Sequence, residues 1–148
     1  MKYAEGSHGR VFVLRLGEGD RIPDSLEQFA EMKNISSAIC FAVGGAKEKS
    51  KVVVGPKDGE VLPPEPMHVL LNGVHEMCGV GTLFRDESGQ PKLHMHASFG
   101  RGNSTITGCV RLGVDVWHIE EIIILEILGV DARRAKDAVT NFEFLEIS

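Results

Sequence analysis

The sequence predicts a mostly β chain with one main helix, and three observations carry that expectation. Short segments rich in β-branched and aromatic residues recur along the chain, each closed by a cluster of turn-forming residues. Only one stretch, about residues 24–33, shows the apolar spacing of an amphipathic helix. Apolar residues make up 43% of the 148 and charged residues 25%, ordinary for a chain that buries a core without disulfide or metal staples. The length suits one domain spanning 1–148, and no repeat or linker divides it.

The elements follow in order. Arg10 to Leu16 reads as a strand stopped by the turn Gly17-Glu18-Gly19-Asp20. The helix comes next, with Asp24 as cap candidate, Glu27 three residues on, and Leu26, Phe29 and Ala30 on one face. Ser37 to Val43 and Lys49 to Val54 read as two strands joined through a glycine turn at Gly44-Gly45. An irregular connection from Gly59 to Pro66, with three prolines, precedes strands at Met67–Leu71, Glu76–Phe84, Lys92–Phe99, Ser104–Leu112 and Val116–Leu128. Arg133 to Val139 suggests a short helical turn, and Asn141 to Ile147 alternates with period two, as a half-buried strand does.

The charge balance narrows the function classes. A net charge of −5 gives the chain as a whole no long-range attraction to a phosphate backbone. The basic clusters Lys47-Glu48-Lys49-Ser50-Lys51 and Arg133-Arg134 are small. Three scattered cysteines, Cys40, Cys78 and Cys109, and no apolar leader or spanning segment point to a cytoplasmic protein with no membrane partner. Val43-Gly44-Gly45-Ala46 lacks the Gly-Lys-Ser/Thr ending of a phosphate loop.

The chemically informative stretch is Leu93-His94-Met95-His96. On a strand, residues two apart share a face, so His94 and His96 project together and offer two imidazoles to zinc or another divalent transition metal. If residues 100–103 form a hairpin centred near residue 102, the returning strand sets Cys109 roughly opposite His94, within reach of the same ion. Cys109 is therefore the preferred third ligand, and water, a small molecule or another subunit supplies the fourth. The pair also fits two solvent-facing polar side chains, with Cys109 a small buried hydrophobe. His75 and His118 are further candidates from neighbouring strands, and Glu76 and Glu120 are conceivable proton carriers or second-sphere partners if either approaches.

Leu93-His94-Met95-His96, the glycine hairpin, Thr107-Gly108-Cys109 and a strand containing Glu120 resemble the plant-and-prokaryote conserved (PPC) domain pattern of Leu-His-x-His, turn, Gly-Gly-His and Glu-Val strand. The opening strand with Gly17-Glu18, the helix ending Phe29-Ala30, and Val43-Gly44-Gly45-Ala46 match that family's earlier elements, so the resemblance spans about residues 10–128. It implies an α+β fold built mainly on an antiparallel sheet, and a homotrimer. Plant relatives carry an AT-hook and act in the nucleus, and stand-alone prokaryotic members often bear a provisional DNA-binding label. Here the last histidine of the pattern is Cys109, which keeps a metal-ligand type, and no Arg-Gly-Arg-Pro-like AT-hook is present. The expectation is a metal-binding trimer whose His94, His96 and Cys109 bind or act on a small molecule. The alternatives are a DNA-associated regulator and a trimer in which metal only fixes a subunit boundary.

Overall fold

The computed structural model describes residues 1–148. In chain order the elements are β1 (Ser7–Gly17), β2 (Arg21–Ile22), α1 (Asp24–Met32), β3 (Ser37–Ala46), β4 (Lys51–Pro56), β5 (Pro66–Leu70), β6 (His75–Arg85), β7 (Pro91–Arg101), β8 (Ser104–Cys109), β9 (Val114–Leu128), β10 (Ala132–Lys136) and β11 (Glu143–Ile147). Nine strands form one antiparallel sheet in the order β1-β9-β3-β6-β7-β8-β4-β5, with β2 beside β9, and β10 and β11 form a separate hairpin. The α+β expectation holds. No helix is long and apolar enough to cross a membrane.

Strict alternation divides the sheet into two faces. Leu93, Met95, Ala97 and Phe99 of β7 are buried, as are Ala38, Cys40 and Ala42 of β3 and Ile122 and Ile124 of β9. Helix α1 closes this inner face with Leu26 and Ala30, both fully buried, while Phe29 sets its ring edge-on to Phe12 at 5.3 Å. The helix begins differently from the sequence expectation. Pro23 occupies the capping position, no side chain caps the helix, and Asp24 is already inside it. Glu27 instead accepts a hydrogen bond from the Leu93 N–H at 2.9 Å, tying α1 to the strand that carries the histidines.

Two further expectations are corrected. Strands β3 and β4 are not a hairpin: β3 lies between β9 and β6, and β4 between β8 and β5. Gly44 and Gly45 lie inside β3, where a Cβ would come within 2.3 Å of the Ile119 carbonyl oxygen and 2.8 Å of that of Trp117. These glycines permit close strand packing, not a turn. Residues 132–136 form a strand in place of the expected helical turn, because Arg133↔Glu146 and Ala135↔Phe144 pair in an antiparallel hairpin. Strand β11 is exposed along most of its length rather than half-buried.

Two glutamates point inward from β9 with opposite outcomes. Glu126 accepts both arms of Arg10, at 2.6 and 2.7 Å, and these hydrogen bonds hold its carboxyl down to about 2. Glu120 is 1% exposed, and neither of its carboxylate oxygens has a hydrogen-bond partner. Burial, with a smaller contribution from Glu76, pushes it up to about 8.

A candidate metal centre on the outer sheet face

On β7 the residues between the buried ones, Lys92, His94, His96 and Ser98, face outward. His94 and His96 therefore stand side by side, ring centroids 5.1 Å apart and nearly perpendicular at 85°. Strand β8 returns through a tight turn at Gly102-Asn103, with Gly102 in the left-handed region at φ 59° and Arg101 paired to Ser104. The hairpin is centred between Gly102 and Asn103, and Cys109 pairs with His96, not with His94 as expected, and sits diagonal to His94. All three side chains still converge: one ligand atom from each of His94, His96 and Cys109 lies within 4.8 Å of the others. Gly108, next to Cys109, lets β8 press against β4.

Burial pulls the His94 ring below the usual histidine range, and the nearby charges of Arg134, His96 and Arg111 act in the same direction. Both effects favour the neutral ring, whose lone pair can donate to a metal.

The remaining candidates lie elsewhere. His75 is buried at the start of β6, where its Nδ1–H donates to the Gly73 carbonyl at 3.0 Å. His118 sits at a break in the β3–β9 register with φ 60°, and its backbone N–H donates to Glu18. Glu76 pairs with Gly100 at the far end of β6, and Glu120 points into the core beside Gly44. None joins the cluster.

The His/His/Cys cluster opens into a cleft of about 640 Å³. Its floor is the outer face of β7 and β8, and the β10–β11 hairpin forms a wall that brings Arg134, Phe142 and Phe144 to the site. Arg134 is 7% exposed and donates from Nη2 to the Thr82 hydroxyl at 2.7 Å, with Thr82 directly opposite His94. Its guanidinium also covers the Phe84 ring at 5.7 Å. Lys92 and Arg111 line the same cleft. They lie two residues from His94 and Cys109, a spacing that could have revealed Lys92 on its strand. Arg134 carried no such signal, because nothing local tells where the hairpin docks.

Fold and site together define a β-rich α+β domain in which two exposed histidines and one buried cysteine cluster in a cationic cleft. The chain belongs to the Plants and Prokaryotes Conserved (PCC) domain family, whose profile matches residues 3–128. It is similar to a metal-containing protein from Archaeoglobus fulgidus, at 26% identity over 99% of both chains and a TM-score of 0.83. A PPC protein from Pyrococcus horikoshii shares the fold at 22% identity, with a TM-score of 0.81 over 99% of this chain and 100% of that one. A protein from Ralstonia eutropha, provisionally named DNA-binding, shares it at 22% identity and a TM-score of 0.73 over 92% and 90% of the two chains. No curated protein matches the chain significantly.

Proposed function

We propose that the chain is a single-domain metal-binding protein that holds zinc, or another divalent transition metal, on His94, His96 and Cys109 and binds or acts on a small molecule there. The observation that carries this reading is the convergence of the three donor atoms within 4.8 Å. Bonds of about 2.0–2.3 Å to one ion span nearly that distance, and two imidazoles with one thiolate are a borderline-soft donor set that zinc accepts. Three protein ligands leave a position open, the pattern of a site that receives a ligand and not of a closed structural one. A metal bound there would polarise a carbonyl or lower the pKa of its water. The similarity to the metal-containing archaeal protein supports the reading.

Elemental analysis of protein purified without an affinity tag tests it. The parent is expected to hold close to one equivalent of metal and the H94A/H96A double variant almost none. Equal metal in both would place the ion elsewhere.

The assembly we propose is the homotrimer that the family resemblance implies. One row of directly opposed residues crosses the outer face: Val13, Ile123, Phe41, Val80, His96 and Cys109. Val13, Val43 and Val80 are each more than half exposed, an apolar sheet surface of the kind that subunits cover. Phe41→Glu, at the centre of this face, is expected to convert the trimer to monomer in light-scattering chromatography while circular dichroism stays native. An unchanged mass would move the interface elsewhere.

DNA association is the second reading, and structural neighbours provisionally named DNA-binding favour it. The basic clusters give it little help, since Lys47 is paired with Glu18 and Arg133 with Glu146. The three cysteines are unpaired, which suits a cytoplasmic setting.

A further inference from the structure

The cleft beside the His/His/Cys cluster has a charge opposite to that of the chain. Lys92, Arg111, Arg134 and Lys136 line it against a single carboxylate, Glu143, whereas the whole chain carries a net −5. None of those four cations has an ion-pair partner, although the Arg10, Arg21, Lys47, Lys57, Arg85 and Arg133 side chains all do. Four unpaired cations converging on one concavity repel one another, and an anion between them removes that repulsion.

Arg134 makes the case specific. Its side chain is buried, one arm is fixed on Thr82, and its Nε–H is buried with no acceptor. A buried guanidinium donor left unmatched costs free energy that a bound acceptor recovers, and the planar guanidinium suits the two oxygens of a carboxylate or phosphate. The other surfaces of the cleft are apolar: Val53, Pro64 and Pro66 from one side, Phe142, Phe144 and Leu145 from the hairpin. Phe142 and Phe144 lie edge to face, 6.1 Å between centroids, and offer aromatic area to a ligand body.

From this geometry we infer that the cleft binds a small organic oxyanion, with its carboxylate or phosphate head on Arg134 and Arg111 next to His94 and its apolar body against the aromatic hairpin. The inference rests on the metal reading only in placing the head beside the ion; the cationic and aromatic surfaces belong to the chain itself. Recognition is of a charged head on a greasy body, which separates this ligand class from neutral aromatics and from bare inorganic ions. The volume of about 640 Å³ suits a ligand of metabolite size.

Calorimetric titration of benzoate, phenyl phosphate, inorganic phosphate and benzyl alcohol into the zinc-loaded protein tests it, with metal content measured on every sample. Benzoate or phenyl phosphate is expected to bind, benzyl alcohol to give no heat, and inorganic phosphate to bind more weakly than its phenyl ester. Arg134→Gln should weaken binding about tenfold or more. Arg111→Gln, at an exposed position where substitutions change stability by only about 0.5 kcal/mol, should weaken it several-fold. Which of the two aromatic anions binds better identifies the head group. The inference is overturned if neither anion binds, if benzyl alcohol binds as well, or if both arginine variants bind like the parent. It is overturned too if a duplex oligonucleotide binds more tightly than phenyl phosphate and displaces it, since the cleft would then be a nucleic-acid contact. Protein that carries its metal yet ignores every anion defeats this inference and leaves the metal reading standing. Protein without metal that binds benzoate or phenyl phosphate through Arg134 does the reverse.

Discussion

Gly108→Ala is expected to lower the melting temperature by about 10 °C and, if His94, His96 and Cys109 hold metal as proposed, to strip it in the same step. A Cβ at Gly108 would come within 2.2 Å of the Val53 carbonyl oxygen and 2.7 Å of Val52 Cγ1. The first of these is backbone and cannot rotate away. Strands β4 and β8 meet through a single registered pair, Val53↔Cys109, so relief comes by moving β8 off β4. Overpacking of this kind costs about 3 kcal/mol, and the shift carries Cys109 with it. Gly100→Ala is the control, because a Cβ there meets nothing within 4 Å; its stability should stay within about 0.5 kcal/mol of the parent. A Gly108 variant as stable and as metal-replete as the Gly100 variant would show that the β4–β8 contact is softer than the backbone geometry implies.

Glu120 gives the second large effect, on stability as a function of pH. Its carboxyl is held protonated in the folded protein up to about 8, whereas in the unfolded chain it ionises near 4.5. Between those values the native state binds one proton more than the unfolded state, so stability falls as pH rises through the window and is flat on either side. Desolvation is the main cause and Glu76 the lesser one. After allowance for relaxation and water penetration, the loss across the window is on the order of 3 kcal/mol. Glu120→Gln removes the titrating group at nearly constant volume. The variant should match the parent at pH 5 and exceed it at pH 8.5, as followed by urea denaturation at each pH. Parallel pH profiles for the two proteins would show that Glu120 ionises normally in the folded state.

Much of this molecule was legible in its sequence because strand alternation is a local property. The two-residue spacing of His94 and His96 on a strand was enough to show that they point together, and the buried Leu93, Met95, Ala97 and Phe99 between and beside them are its structural counterpart. The same logic set Cys109 on the correct face but two residues off in register. The residual error came from the turn, where a shift of one residue in the hairpin centre moves the partner from His94 to His96. Pairings between distant segments were not legible. Nothing in Ser37–Ala46 announces that its neighbours are β6 and β9, and its glycines imitate a turn while serving the approach of other backbones. Arg134 was out of reach for the same reason, since its role depends on where a hairpin formed wholly by residues 132–147 comes to rest.

That hairpin lies past the 3–128 span the family profile matches, yet it supplies one side of the cleft beside the histidine pair. The three candidate metal ligands and the face that subunits would share lie on the sheet, whereas Arg134 and the aromatic side chains come from a two-stranded appendage. On the proposed reading the two stretches share the work: the hairpin adds Arg134 and the aromatic wall, while Lys92, Arg111 and the candidate ligands stay on the sheet. Exchanging residues 129–148 would therefore change one wall of the cleft and, through Arg134, the surroundings of Thr82, Phe84 and His94 together.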